Sequence, residues 1–130
     1  MAAVMFYEKP VAVNRDQHRT SKIGSVPNFS FSGKTNSVPL SGVEFIEACK
    51  EYPIVFAKVG DRKVPVALLG LRDNDNLYVK ADGAWDARYI PAFVRRYPFV
   101  LAEKGADEFV VCIDEASPAF NAAEGQALFD

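Results

Sequence analysis

The chain is poor in the residue types that build disulfide frameworks, metal sites and phosphate-binding loops. Its 130 residues include two cysteines and one histidine, and its eight glycines are scattered singly. Cys49 and Cys112 both lie in apolar settings, so we expect buried free thiols, which are typical of a reducing compartment. A lone histidine without clustered cysteine or glutamate is poor support for a metal site. The sequence therefore predicts no metal and no cofactor.

Long apolar segments are also missing. No stretch approaches the roughly 18 uninterrupted apolar residues that a membrane-spanning helix needs. Residues 1–9 lack the basic segment and the long apolar run of a secretory signal. We therefore expect no membrane span, and the cytoplasm as the location.

Basic side chains are absent from the last part of the chain. Residues 105–130 carry six acidic side chains and no lysine or arginine, whereas residues 1–40 carry five basic and two acidic ones. The net charge of the whole chain is −2. Because proteins whose main partner is nucleic acid are usually basic, this balance argues against nucleic acid as a partner.

What the sequence does have is the composition of a globular domain, with 49% hydrophobic and 12% aromatic residues. A chain of this length can bury about two-thirds of its unfolded surface. Residues 1–40 predict an irregular N-terminal arm, with short strands at 4–7 and 11–13 that could pair. Residues 41–130 predict an α+β core, and we expect one domain overall.

The clearest predicted element is a helix that begins at Ser41. Ser41 and Glu44 have the spacing of a capping box, in which each side chain satisfies a free amide of the other residue. The apolar residues that follow recur at helical spacing up to Tyr52 and place Cys49 on the buried face, with Glu44 on the solvent side. Pro53 ends the helix because proline disfavours helical geometry in the residue before it.

The remaining core predicts short elements joined by turns. Apolar runs between turn clusters predict strands at 54–59, 64–71, 77–80, 99–103 and 109–113, a short helix at 89–97 and a second one at 122–129. The predicted fold class is α+β, an antiparallel-rich sheet with two or three short helices.

The sequence also shows an internal similarity. When the chain is shifted by 45 residues, residues 52–66 fall on residues 97–111, and six of the fifteen positions are identical. Both copies predict a helix, a Tyr-Pro pair, a strand, a glycine turn and a second strand. The hypothesis is an internal α-β-β duplication; matching turn chemistry without duplication is the alternative.

Six separated segments together resemble the SapC family of bacterial proteins. They are MFY (5–7), NRDQH (14–18), NSVPL (36–40), EFIEA (44–48), YPIVF (52–56) and YIPAFVRRYPF (89–99). The resemblance runs over nearly the whole chain. Members are typically longer, so it implies an N-terminal part that lacks a helical C-terminal part. It also implies an association with surface-layer proteins or outer-membrane uptake systems, and it supplies no catalytic residue.

The richest candidate binding site lies in residues 85–97. It holds the only tryptophan together with tyrosines and arginines, the residue types that dominate binding hot spots. Arginine can also stack on aromatic faces while binding a carboxylate. The candidate residues for binding an anionic peptide or small molecule are Trp85, Arg88, Tyr89, Arg95 and Arg96. The alternative is structural: Trp85, Tyr89 and Phe93, four apart, would line the inner face of one helix.

A second candidate site is the polar segment Arg15, Asp16 and His18, because a histidine beside a carboxylate can act as a general acid or base. A surface or docking histidine is the alternative interpretation. A nucleophile pair of Cys49 and His18 is the weakest hypothesis, because a thiol on an apolar helix face stays protonated.

We therefore predict a non-enzymatic accessory or binding protein with a protein or peptide partner. An enzyme that uses the segment around His18, and a small-molecule sensor with a pocket between sheet and helices, are the alternatives. If a C-terminal part is missing, an apolar face is uncovered, and we expect a homo-oligomer through it.

Overall fold

The structure, a computed structural model, describes residues 5–130. Val4, with which one predicted strand begins, lies outside the described residues. The elements, in chain order, are β1 (Pro10–Ala12), α1 (Arg15–His18), β2 (Lys22–Ile23), β3 (Ser37–Pro39), α2 (Phe45–Ala48), β4 (Ile54–Val59), β5 (Arg62–Leu68), α3 (Ala92–Arg95), β6 (Phe99–Glu103), β7 (Phe109–Asp114) and β8 (Gln126–Ala127), with 3-10 turns at Ser30–Ser32 and Gly42–Glu44. The antiparallel sheets and short helices confirm the predicted α+β class.

The chain divides into two compact units. One comprises Met1–Pro27 with Arg96–Asp130, and the other comprises Asn28–Arg95. We call them the outer unit and the middle unit, after their places in the sequence. The predicted division into residues 1–40 and 41–130 stays a prediction.

The middle unit contains a three-stranded antiparallel sheet in the order β3-β5-β4. Val38 and Ala67 lie opposite each other in this sheet and are fully buried. Ala48 on α2 is also fully buried, and Tyr52, Leu69 and Val94 are at most 3% exposed. Burying an aliphatic or aromatic side chain of this kind stabilises a fold by about 1.5–3 kcal/mol, so this cluster holds the sheet against the short helices.

The outer unit contains a second three-stranded antiparallel sheet, in the order β1-β7-β6, and a two-stranded pair, β2-β8. Ile113 and Cys112 on β7 are fully buried. Asp114, also fully buried, accepts backbone hydrogen bonds from Glu8 at 3.0 Å and Lys9 at 2.9 Å. This carboxylate therefore fixes the segment that leads into β1.

The two hairpins have the same local arrangement. In the middle unit the carbonyl oxygen of Pro53 accepts a hydrogen bond from the Leu68 amide at 2.9 Å. In the outer unit the carbonyl oxygen of Pro98 accepts one from the Asp114 amide, also at 2.9 Å. Each hairpin gains a third strand, β3 or β1, on the far side of its second strand. The predicted order of helix, Tyr-Pro, strand, turn and strand therefore occurs twice.

The helix after Ser41 confirms the predicted start and corrects two residues. The Glu44 carboxylate accepts the backbone N–H of Ser41 at 2.8 Å, as a capping box requires. However, Glu44 is only 7% exposed, because its side chain also binds distant groups, and the prediction of a solvent-facing carboxylate is wrong. Cys49 is exposed rather than buried, since α2 ends one residue before it. Cys112 is buried, as predicted.

Several other predicted elements differ from the structure. Strand 11–13 is observed as β1, but it pairs with β7 and not with residues 4–7, of which Met5 and Phe6 form a turn. Predicted strand 77–80 is reduced to one bridge between Val79 and Trp85. Predicted helix 89–97 is reduced to α3. Predicted helix 122–129 is instead a turn followed by β8.

Among residues 5–130, no helix is both long enough and apolar enough to cross a membrane.

Candidate functional site

Trp85 lies against other aromatic side chains of the middle unit. Its indole N–H donates a hydrogen bond to the hydroxyl oxygen of Tyr52 at 2.8 Å. Its ring stacks on Tyr78, with ring centroids 6.0 Å apart, and meets the edge of Phe29. The Tyr52 hydroxyl in turn donates to the carbonyl oxygen of Tyr89. Trp85 therefore helps to hold the backbone at Tyr89 in place.

The side chain of Tyr89 is fixed by a buried carboxylate. Its hydroxyl donates to Glu44 Oε1 at 2.6 Å, and the Ala92 amide donates to the same oxygen at 2.8 Å. Burial would raise the pKa of Glu44, but hydrogen bonds from Tyr89, Ala92 and Ser41 outweigh it and lower this pKa. Burial, helped by the neighbouring carboxylate, raises the pKa of Tyr89. Glu44 thus stays ionised at neutral pH and Tyr89 stays neutral.

A second carboxylate holds the backbone beside Tyr89. Glu51 Oε1 accepts the backbone N–H of Arg88 at 2.9 Å, and Oε2 accepts that of Tyr89 at 2.8 Å. These two bonds lower the pKa of Glu51. Both oxygens of Glu51 bind the main chain and so fix the attachment point of the Arg88 side chain. Arg88 itself is exposed.

The second exposed arginine lies over the Tyr89 ring. The Arg95 guanidinium carbon is 5.6 Å from the ring centroid, within the range of a cation–π contact. Its Nε–H donates to the carbonyl oxygen of Ile90 at 2.7 Å, and Nη2 is 3.4 Å from the Tyr89 hydroxyl. Tyr89 therefore has one exposed arginine next to it in sequence and another on its ring.

An open depression of about 420 Å³ lies at this place in the middle unit. It is lined by Glu47, Lys50, Glu51, Arg88 and Tyr89. Lys50 Nζ and Glu47 Oε1 form an ion pair at 2.8 Å, with both side chains more than half exposed. We call this depression the Arg88 depression.

The structure brings four of the five candidate binding residues into the middle unit: Trp85, Arg88, Tyr89 and Arg95. It does not place the aromatic residues on one helix, because α3 begins only at Ala92. The structural alternative of a single helical face is therefore wrong for Trp85 and Tyr89. The fifth residue, Arg96, belongs to the outer unit.

Arg96 has its own neighbour in the outer unit. Burial raises the pKa of the Tyr7 hydroxyl to about 12, while the charge of Arg96 and a hydrogen bond from it act in the opposite direction. The Tyr7 hydroxyl also donates to the carbonyl oxygen of Phe99 at 2.7 Å. Arg96 is thus partly buried beside a tyrosine that is hydrogen-bonded to the main chain.

Three lining residues of the depression were missed by sequence reasoning. Helical spacing predicts a solvated helix face for Glu47, Lys50 and Glu51, which is the usual place for such charges. Their spacing of three to four residues was the one available signal, because it places them on the same side of a helical turn. Nothing in the local sequence indicates that Arg88 lies beside them.

The alternative site around His18 is differently organised. His18 is 1% exposed. The backbone N–H of Asn14 lies 3.0 Å from its Nδ1, and its Nε2 lies 3.2 Å from Glu115 Oε1. Because the Glu115 carboxylate can only accept, Nε2–H donates to it, while Nδ1 contacts both the backbone N–H of Asn14 and the carbonyl oxygen of Asn14, the latter at 3.1 Å. Arg15 and Asp16 are exposed and do not share these bonds.

Glu115 is a shared acceptor in this cluster. Its second oxygen, Oε2, is 2.6 Å from Lys9 Nζ. The hydrogen bonds from Lys9 and His18 lower the pKa of Glu115. Since both ring nitrogens of His18 are engaged by Asn14 and Glu115, neither is available to activate the Cys49 thiol.

Within residues 5–130, no three side chains of His, Cys, Asp or Glu converge in a way that could hold a metal ion.

Comparison with known proteins identifies the family. The SapC family model matches residues 13–130. The chain belongs to the SapC family. A search of curated proteins and a search of solved structures found no significant match. In this SapC chain, the matched region includes the whole middle unit with every residue of the Arg88 depression, and the outer unit from residue 13 onward.

Proposed function

We propose that this SapC chain is a non-enzymatic binding module, and that the Arg88 depression recognises a carboxylate-bearing peptide. The observation that carries the proposal is that Glu51 accepts hydrogen bonds from the backbone N–H groups of both Arg88 and Tyr89. They fix the main chain at the point from which the Arg88 guanidinium projects. A guanidinium with a fixed attachment point can bind a carboxylate through two parallel hydrogen bonds.

The pairing of the other charged groups leaves Arg88, which lines the depression, and Arg95, which lies on the Tyr89 ring, as the available cations. Glu51 has both oxygens bound to backbone N–H groups, and Glu47 is paired with Lys50. Arg88 is exposed, and Arg95 is exposed over the Tyr89 ring. A peptide carboxylate that approaches Tyr89 therefore meets two cations and an aromatic surface. Because the depression is open, an extended peptide fits it better than an enclosed small molecule.

The buried ionisable groups Glu44 and His18 are already hydrogen-bonded to other side chains, which supports binding rather than catalysis. A general acid or base must exchange a proton with its substrate and needs direct access to it. Glu44 and His18 are both buried and already hydrogen-bonded, the former to Tyr89 and the latter to Glu115. The buried position of His18 counts against the alternative of an enzyme that uses Arg15, Asp16 and His18.

The sensor alternative has less support. An apolar hollow of about 160 Å³ in the middle unit is lined by Pro53, Leu68, Leu69, Gly70, Leu71, Leu77 and Tyr78. Ligand cavities usually measure about 300–1,000 Å³ and present a few convergent polar groups. The link to surface-layer or outer-membrane uptake systems rests on the family resemblance, and we retain it as a proposal about the partner's setting.

The test uses peptides of defined charge. Binding of fluorescently labelled hexaglutamate, hexaserine and hexalysine to the full chain is measured by anisotropy. We expect hexaglutamate to bind best, and Arg88→Ala to weaken it about tenfold or more, the effect of losing a charge-assisted bidentate contact. Arg72→Ala is the matched control, since Arg72 is also exposed but does not line the depression.

Two results would overturn the proposed function. One is equal binding of the three peptides by the full chain. The other is an Arg88→Ala variant that binds hexaglutamate as well as Arg72→Ala does.

A further inference from the structure

The hairpin of β4 and β5 has a net positive charge at its tip. Lys58, Arg62 and Lys63 are exposed there together with one acidic residue, Asp61, which gives a net charge of +2. Lys58 and Lys63 lie directly opposite each other in the strand register. Like charges in that position destabilise an antiparallel pair. Among residues 5–130, none of these four side chains takes part in an ion pair. We call this element the basic hairpin.

The hairpin of β6 and β7 carries the opposite charge. Its tip exposes Glu103, Asp107 and Glu108 together with one basic residue, Lys104, which gives a net charge of −2. Within the described residues, these four side chains also lack an ion pair. We call this element the acidic hairpin.

The two sets of charges occupy equivalent positions of the internal repeat. With the shift of 45 residues, Lys58 falls on Glu103, Arg62 on Asp107, and Lys63 on Glu108. All three basic residues of one hairpin are thus replaced by acidic residues in the other. In the structure the second strand of the acidic hairpin is displaced by one residue, since Lys58 pairs with Lys63 but Glu103 pairs with Phe109. The two hairpins have opposite net charge and are therefore complementary in potential.

Both hairpins also expose apolar side chains beside these charges. On the basic hairpin, Phe56 is 65% exposed and Val59 is 61% exposed, and both lie on the edge strand β4. On the acidic hairpin, Leu101 is 59% exposed on the edge strand β6, and Phe109 is 62% exposed on β7. An edge strand also presents backbone N–H and C=O groups that can pair with another strand.

We propose that copies of this chain associate through these hairpins, the basic hairpin of one copy docking edge to edge on the acidic hairpin of a second copy. The pairing brings carboxylates to the opposed Lys58 and Lys63 and covers the apolar side chains of both edges. Pairing of two basic or two acidic hairpins is disfavoured by charge repulsion, which selects the mixed contact. Each copy carries one hairpin of each kind, so one contact leaves a free surface on both partners.

The first experiment measures mass against concentration for the full chain by sedimentation velocity. We expect assemblies larger than one chain at an ionic strength of about 20 mM, and weaker association at about 500 mM, where exposed charges more than a few ångströms apart are screened. A chain that remains monomeric at millimolar concentration and low salt overturns the proposal.

Charge-swap variants test the specific contact. Lys58→Glu with Lys63→Glu makes both hairpins acidic, and Glu103→Lys with Glu108→Lys makes both basic. We expect each double variant to raise the dissociation constant about tenfold or more, and the combination of all four changes to restore it to within about threefold. Unimpaired association of the double variants, or no recovery in the combined variant, contradicts the proposed contact.

A matched control separates this contact from net charge. Arg19→Glu with Arg72→Glu changes the charge of the chain by the same amount as the first double variant, at exposed positions outside both hairpins. We expect it to associate like the natural sequence; a tenfold loss there would show a net-charge effect and overturn the proposal. The double variants should still bind hexaglutamate, so the failure of this proposal and that of the proposed function give different results.

Discussion

Replacing Glu44 with glutamine tests whether one buried carboxylate holds the middle unit together. Its two oxygens accept hydrogen bonds from the amide and the hydroxyl of Ser41, at 2.8 and 3.1 Å, and from Tyr89 and Ala92, at 2.6 and 2.8 Å. In Glu44→Gln one oxygen becomes an NH₂ group, which faces donors and cannot accept their bonds. Whichever oxygen is replaced, two hydrogen bonds to a charged acceptor are lost.

The expected loss in the free energy of unfolding follows from the two lost hydrogen bonds. A hydrogen bond to a charged group contributes about 1.5–3 kcal/mol, and a Tyr or Ser hydroxyl can rotate to recover part of the loss. We therefore expect the free energy of unfolding to fall by about 2–3 kcal/mol. With a urea slope of about 1–3 kcal/mol per molar for a small protein, the midpoint of unfolding falls by about 0.7–3 M. Urea unfolding at neutral pH, followed by circular dichroism, measures both quantities.

Glu47→Gln is the matched control for this experiment. Glu47 lies on α2, which follows the 3-10 turn that contains Glu44, but it is exposed and makes one ion pair, with Lys50. Exposed pairs of this kind contribute about 0–1 kcal/mol. If Glu44→Gln and Glu47→Gln unfold at the same urea concentration, the stabilising role assigned to the buried carboxylate is incorrect.

The same carboxylate predicts a pH dependence. Its pKa in the folded chain lies below the ordinary value of 4.5, so its contribution is complete above that value and is lost as the pH falls through the folded pKa. We expect the natural chain to lose stability below about pH 4.5 more steeply than Glu44→Gln, which cannot titrate at this position. Parallel loss in the two proteins would be the contrary result.

Three further predictions test other parts of the fold. Asp114→Asn should lower the free energy of unfolding by about 2–4 kcal/mol, because a fully buried carboxylate that binds main-chain amides is replaced; equal stability in thermal unfolding would contradict this. Gly70→Ala should be strongly destabilising, since its Cβ would lie 2.0 Å from a backbone oxygen, whereas Gly105→Ala, with nothing within 4 Å, should be nearly neutral in the same measurement. A thiol reagent should modify exposed Cys49 quickly and buried Cys112, whose pKa burial raises, only after unfolding; equal rates by mass spectrometry would contradict the structure.

Elements with a complete local signal could be predicted from the sequence. The helix start at Ser41 depends on Glu44, three residues later, and the structure has this bond. The two long hairpins depend on turn residues between apolar runs, and both are observed. In these cases the residues that decide the structure are neighbours in the chain.

Elements decided by distant residues could not be predicted. Asn121 has the sequence signal of a helix start, but its side chain accepts a hydrogen bond from the Lys22 amide at 3.0 Å, 99 positions away, and the following residues form β8. Tyr89 lies 45 positions from Glu44, so the burial of that carboxylate has no local signal. The residues of the candidate site also differ in whether the sequence could indicate them. Composition indicated Trp85 and Arg88, and only the tertiary fold shows which acidic and basic side chains lie beside Arg88.

The outer unit is formed by two segments that are distant in the sequence, and this affects folding during synthesis on the ribosome. Lys9 binds Asp114, 105 positions later, whereas the middle unit is the uninterrupted segment Asn28–Arg95. During translation, the middle unit can therefore fold while the outer unit still lacks β6 and β7. Until those strands emerge, β1 has no partner strand. A nascent chain arrested when residue 95 has just left the ribosomal exit tunnel should protect the middle unit, but not residues 5–27, from a protease.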